Sequence, residues 1–124
     1  MALEKHELKI STTGGAGVAT GSGILSLPIC ELLALYLNYH ASAPATTDVT
    51  VKSVGDPATR TLLTRSNSAA DGWFRPKEQK HDDVAALVTG DYADPVIHAG
   101  ALSIDVAQCD SLTDALIATV YVKV

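Results

Sequence analysis

Apolar residues alternate with polar or small residues along several segments of this sequence, and the C-terminal segment shows the pattern best. Its two alternating sets are Leu116, Ala118, Val120, Val122 and Val124 on one face, and Ile117, Thr119, Tyr121 and Lys123 on the other. A period of two is that of a β-strand, whose successive side chains point to opposite sides of a sheet. The segment is therefore predicted to be a half-buried strand. The same alternation occurs near residues 5–11, 48–54 and 101–107.

Turn-forming residues separate these alternating segments at short intervals. Gly14 and Gly15 follow the alternating segment near residues 5–11, while Pro57 and Pro95 lie in later turns. Short strands with turn signals every eight to twelve positions are typical of a sandwich or barrel. We expect an all-β, single-domain antiparallel β-sandwich formed by residues 17–124, with residues 1–16 as either an N-terminal arm or the first strand.

Residues 28–40 are apolar at most positions and fit either a helix or a strand. Leucine and alanine favour a helix, but the alternation continues to the end of the segment and the neighbouring segments are strand-like, so a strand is preferred. A strand that is apolar on both faces needs cover on both faces. Because one core covers only one face, a loop or a neighbouring subunit is needed on the other, and we expect a symmetry mate there. Candidate interface residues here are Leu33, Leu35 and Leu37.

Residues 71–82 contain the only tryptophan and the only phenylalanine of the chain, next to basic residues. Trp73, Phe74 and Arg75 are of the types found as anchors at protein interfaces, and Lys77 adds charge. Alternation along a strand would turn one of the two adjacent aromatic rings inward and the other outward. All four residues are candidate interface residues.

No motif in the sequence indicates catalysis, a cofactor or a metal. The four histidines lack a His-x-His spacing, the cysteines lack a Cys-x-x-Cys spacing, and no serine lies in a nucleophile elbow. The glycine-rich residues 14–23 precede no helix start, so a flexible hairpin is preferred to a phosphate loop. Cys30 and Cys109 are predicted to be buried thiols, although their number alone also allows a disulfide.

Charge and hydropathy argue against two classes of partner. The formal net charge is −5, whereas a protein that binds the phosphate backbone needs a basic surface. The N-terminus lacks the apolar region of a secretory signal, and the longest apolar stretch is too short and too interrupted to span a bilayer. We expect no direct contact with nucleic acid or membrane, and folding in a cytoplasm.

Two short runs give the sequence a resemblance to a known family. Residues 46–50 read Thr-Thr-Asp-Val-Thr and residues 71–76 read Asp-Gly-Trp-Phe-Arg-Pro, followed by a valine-rich closing strand. With this order of motifs, residues 17–124 resemble small virion proteins of tailed bacteriophages, of the capsid decoration or cement type.

The resemblance implies a jelly-roll-like sandwich that sits on the capsid surface of the virion. Such a protein would form a homotrimer, bind the major capsid protein, and have no catalytic residues. Other roles left open are head–tail connection, a tail component, or a carbohydrate-binding module used in host adsorption.

Overall fold

The computed structural model describes residues 2–55, 58–81, 87–97 and 100–124. Within these residues the chain forms β-strands and no helix, which confirms the predicted all-β class. In chain order the strands are β1 (Leu3–Ile10), β2 (Ala19–Leu27), β3 (Cys30–Tyr39), β4 (Asp48–Gly55), β5 (Arg60–Arg65), β6 (Gly72–Phe74), β7 (Glu78–His81), β8 (Leu87–Ala93), β9 (Val96–Ile97), β10 (Gly100–Cys109) and β11 (Leu116–Lys123).

The strands form two packed antiparallel sheets. One sheet has the order β1-β11-β3-β6, with β9 also paired to β3, and the other has the order β2-β10-β4-β5. Strands β7 and β8 form a separate hairpin. If the eight sandwich strands are counted along the chain, the sheets read 1-8-3-6 and 2-7-4-5. This is the strand order of a jelly roll, in which the chain crosses repeatedly between two sheets, so the predicted sandwich is confirmed.

The core lies between the inner faces of the two sheets. Strand β11 contributes Leu116, Ala118, Val120 and Val122, and each of these is fully buried. They are four of the five residues that alternation placed on one face of the C-terminal segment, and the fifth, Val124, is 41% exposed just beyond the end of the strand. The facing sheet contributes Leu102, Ile104 and Val106 from β10, and Val49 and Val51 from β4.

Residues 28–40 form a strand from Cys30 onward, and a β-bulge changes the phase of its alternation. On the neighbouring strand β11, Tyr121 lies opposite Ala34 and Val122 lies opposite Leu32. Leu33 therefore has no partner on β11. An extra residue of this kind reverses which positions face inward. The inward side chains are Cys30 and Leu32 before the bulge, and Leu35, Leu37 and Tyr39 after it.

The N-terminal segment is the first strand of the sandwich rather than an arm. All eight residues of β1 pair with β11. The glycine-rich segment that follows is also ordered, because β2 pairs with β10 along most of its length. A Cβ atom on Gly21 would lie 2.2 Å from the Ser11 carbonyl oxygen, and one on Gly23 would lie 3.0 Å from the Leu8 side chain. These two glycines permit close approach of the sheet edges, which corrects the expectation of a flexible hairpin.

Cys30 and Cys109 are both buried and carry free thiols. Cys30 pairs with Ile97, whereas Cys109 pairs with Ala19, so each packs in a different part of the sandwich. Burial raises the pKa of the Cys30 thiol above its ordinary value, and the nearby Glu4 carboxylate adds to the shift. Both cysteines act as small apolar core residues.

Candidate protein-binding surface

Trp73 lies on the outer face of the first sheet, where β6 pairs with the middle of β3. Trp73 lies opposite Tyr36, and its side chain is 62% exposed. The next residue, Phe74, lies opposite Leu35 and packs against the core, with the Arg65 guanidinium 4.8 Å from its ring centroid. The two adjacent aromatic side chains therefore point to opposite faces, as strand alternation requires.

Two tyrosines complete a row of aromatic side chains across this face. The ring centroids of Tyr36 and Trp73 are 5.0 Å apart, and those of Trp73 and Tyr121 are 5.6 Å apart, with interplanar angles of 59° and 37°. These distances and tilts are typical of favourable aromatic pairs. Tyr121 lies opposite Ala34, two positions along β3 from Tyr36, which is within diagonal reach for large side chains on neighbouring strands.

A shallow groove of about 500 Å³ runs beside the row. Its lining residues are Leu33, Ala34, Trp73, Arg75 and Tyr121. A smaller depression of about 270 Å³, which includes Leu3, continues from it and shares Leu33 and Tyr121. We call the residues Leu33, Ala34, Tyr36, Trp73, Arg75 and Tyr121 the aromatic surface. The groove is mostly apolar, with the Arg75 side chain as its charged member.

Basic residues lie along the aromatic surface although the chain is acidic. Lys5 lies opposite Tyr121 across the strands and lines the smaller depression together with Glu4, whereas Lys123 lies opposite Glu31, outside both depressions. Among the described residues, neither of these lysines nor Arg75 has a carboxylate oxygen within 4.0 Å of its charged nitrogen. The surface therefore combines a row of aromatic rings with two cationic groups, Arg75 and Lys5, and with the Glu4 carboxylate beside Lys5.

The sequence-predicted interface residues lie in four different places. Leu33, Trp73 and Arg75 lie in the aromatic surface, and Lys77 is exposed in an ion pair with Asp94. Phe74 faces inward.

Leu35 and Leu37 are fully buried in the core. Their assignment to an interface is wrong, because the bulge at Leu33 turns the positions that follow it inward.

Sequence analysis missed Tyr36, Tyr121 and Ala34 as members of this surface. Tyr36 and Tyr121 are 85 positions apart in the chain. The pairing of β3 with β11 brings them to the same sheet face, where each contacts Trp73. Alternation alone did place Tyr121 on the face of β11 opposite the core. An aromatic residue at such an outward position was the available sequence signal for an interface.

The described part of the chain contains no group of three or more histidine, cysteine, aspartate or glutamate side chains placed to hold a metal ion. It also contains no helix long and apolar enough to cross a membrane. A comparison with protein-family models gives no match, and a comparison with curated proteins gives none either.

Proposed function

We propose that this protein is a structural virion protein that decorates and stabilises the capsid of a tailed bacteriophage. In this proposal it sits on the head surface as a homotrimer bound to the major capsid protein. Three features support it: the resemblance of residues 46–50 and 71–76 to decoration proteins, the jelly-roll sandwich, and an exposed surface suited to protein contact. The surface carries the most weight, because exposed tryptophan and arginine over an apolar groove form the composition of interface anchors.

A trimer suits decoration for a quantitative reason. Each subunit needs only a weak contact with the shell, since linking three contacts raises the overall affinity by about 10²–10⁴ when the sites have matching spacing. Assembled heads offer receptors at fixed spacing, whereas free capsid subunits do not. The protein is therefore expected to bind assembled heads tightly and free capsid protein poorly.

Mass spectrometry of purified virions tests the proposal directly. The virions are those of the phage that encodes the chain, and the measured quantity is its copy number relative to the major capsid protein. A copy number close to that of the major capsid protein supports decoration. A dozen or fewer copies would indicate a connector or tail component, and absence from the virion would refute any structural role there.

Co-sedimentation with undecorated heads tests the surface. The variant is Trp73→Ala, and the matched control is Ile24→Ser, which removes an equally exposed apolar side chain (65% exposed) from the other sheet. We expect the control to sediment with heads like the wild type and the Trp73 variant to remain in the supernatant. Equal sedimentation of both would exclude the aromatic surface from decoration.

A carbohydrate-binding module is the second candidate, and one observation favours it. Three of the six aromatic residues of the chain lie in a single row on one sheet face. Aromatic rings are common platforms for sugar rings. The groove, however, is lined mainly by aliphatic and aromatic carbon, whereas a sugar needs several hydrogen-bonding partners. Binding of the wild type to a glycan array, with loss in Trp73→Ala, would establish this candidate.

A further inference from the structure

Strand β2 is an edge strand of the second sheet, and it carries none of the usual protection of an edge. Within the described residues its only strand partner is β10. Its nine residues include no charged residue and no proline. Proteins usually place charges, proline or a covering segment at an edge strand, because its unpaired backbone groups can pair with another strand. The edge strands β1 and β5, in contrast, both contain charged residues.

The free backbone groups of β2 form a row on the side away from β10. Thr20 and Thr13 exchange two backbone hydrogen bonds on that side, each with a nitrogen–oxygen distance of 3.0 Å. Every second residue of a strand directs its N–H and C=O groups to the same side, so Ser22, Ile24 and Ser26 follow Thr20. All three are exposed, and their six outward backbone groups have no backbone partner among the described residues. We call these three residues the open row.

The two ends of the open row allow one register for a second copy of the same strand. At one end Thr20 is already paired with Thr13, and at the other end Pro28 has no N–H group to donate. If two copies of β2 run antiparallel, all six groups of each copy are paired only when Ile24 lies opposite Ile24 of the second copy. Ser22 then lies opposite Ser26 of the second copy. A shift by two residues would place Thr20 or Pro28 opposite a member of the open row.

We propose that two copies of this chain pair antiparallel through the open row of β2, about a two-fold axis at Ile24. The contact is isologous, since each copy contributes the same surface. It would join the four-stranded sheets of the two copies into one sheet of eight strands. Because β2 has no charged side chain, no like charges meet across the axis.

This contact is separate from the capsid contact under the proposed function. The open row lies in the second sheet, whereas the aromatic surface lies on the first sheet and stays free. A two-fold contact of this kind would join one trimer to the next if trimers form. The pairing itself requires neither a trimer nor a capsid.

Cysteine cross-linking of the purified full chain tests the register. Opposite residues of a hydrogen-bonded antiparallel pair have Cα atoms about 5.5 Å apart, which lies within the range of about 4.4–6.8 Å that a disulfide spans. Ile24→Cys at about 100 µM should therefore form a covalent dimer under mild oxidation. Ser22→Cys is the matched control, because its two copies would lie more than about 13 Å apart. A mixture of Ser22→Cys with Ser26→Cys should again cross-link, as a heterodimer. The native cysteines are buried in every variant.

Sedimentation equilibrium of the uncross-linked protein tests the association itself. The wild type should dimerise at about 100 µM, a concentration that populates any complex with a micromolar dissociation constant. Ile24→Pro should weaken the association at least about tenfold, because it removes a central N–H donor of the open row. That N–H group takes no part in the pairing with β10, and an edge position tolerates proline. Val18→Ser, which removes a side chain that is 68% exposed outside the open row, should associate like the wild type.

Three results would overturn the proposal. They are a wild type that stays monomeric at about 100 µM, a folded Ile24→Pro variant that associates like the wild type, and equal cross-linking of Ile24→Cys and Ser22→Cys. Circular dichroism melting shows whether Ile24→Pro is folded, and if it is not, the cysteine comparison decides. Because these measurements use no virions, they can fail while virion mass spectrometry still supports the capsid role, and the reverse.

Discussion

Replacement of Gly21 by alanine should destabilise the protein severely, because the added methyl group has no space. Its Cβ would lie 2.2 Å from the Ser11 carbonyl oxygen and 3.3 Å from the Ile10 side chain. Ordinary contact needs more than 3.4 Å, so the β1 and β2 edges of the two sheets must separate by about 1 Å where they meet. Overpacking of a fixed backbone typically costs about 1–3 kcal/mol and occasionally more.

We expect the Gly21 variant to lie at the upper end of that range, because the atom in the way belongs to the backbone. A loss of about 3 kcal/mol corresponds to a fall in Tm of roughly 10 °C for a domain of this size. Urea denaturation should show a midpoint lowered by about 1–2 M. Either measurement reports the effect on the free energy of unfolding.

Gly15→Ala in the same glycine-rich segment is the matched control. A Cβ on Gly15 would lie 3.3 Å from one methyl group of the Val18 side chain, which is 68% exposed and can move. Its effect should stay within about 0.5 kcal/mol, as for most surface substitutions. Equal melting temperatures for the two variants would refute the close approach of β1 and β2, and would restore the flexible hairpin expected from composition.

Four further substitutions test the fold. Leu35→Ala should lower the free energy of unfolding by about 2–5 kcal/mol, as for a buried leucine. Leu33→Ala should lower it by less than about 1 kcal/mol, because Leu33 lies on the outer face. Equal losses in urea denaturation would place the bulge elsewhere. Val120→Asp puts an unpaired carboxylate at a fully buried position and should abolish folding; a soluble variant with a cooperative melt would contradict this. Tyr39→Phe removes a buried hydroxyl that lies near the Arg65 side chain without a hydrogen bond of ordinary geometry, and should leave stability at neutral pH nearly unchanged.

The same Tyr39→Phe variant reports on stability at alkaline pH. Burial raises the pKa of Tyr39 above its ordinary value of 10.0, and the charge of Arg65 opposes this shift. The folded state therefore holds the phenolic proton more tightly than the unfolded chain does. This stability is fully present below pH 10 and is lost as the pH rises from there through the folded-state pKa. Thermal melts above pH 10 should decline more steeply for the wild type than for Tyr39→Phe, and parallel declines would contradict the shift.

The sequence by itself determined the strand class and the faces of single strands. Alternation along β11 identified Leu116, Val120 and Val122 as core residues, and each is fully buried. Local alternation suffices here because neighbouring side chains of any strand must point to opposite faces. The same logic allowed one of the adjacent Trp73 and Phe74 rings to point inward, without saying which, and both were kept as interface candidates. Burial of both cysteines as free thiols was the preferred of two alternatives, because their number alone also allowed a disulfide.

Only the tertiary structure decided the positions that depend on pairing between distant segments. The bulge at Leu33 arises from the register between β3 and β11, and no residue within β3 reveals it. Because one extra residue reverses all later faces, the sequence placed Leu35 and Leu37 at an interface although they lie in the core. The aromatic surface depends on the same pairing, since Tyr36, Trp73 and Tyr121 meet only when β3 lies between β6 and β11.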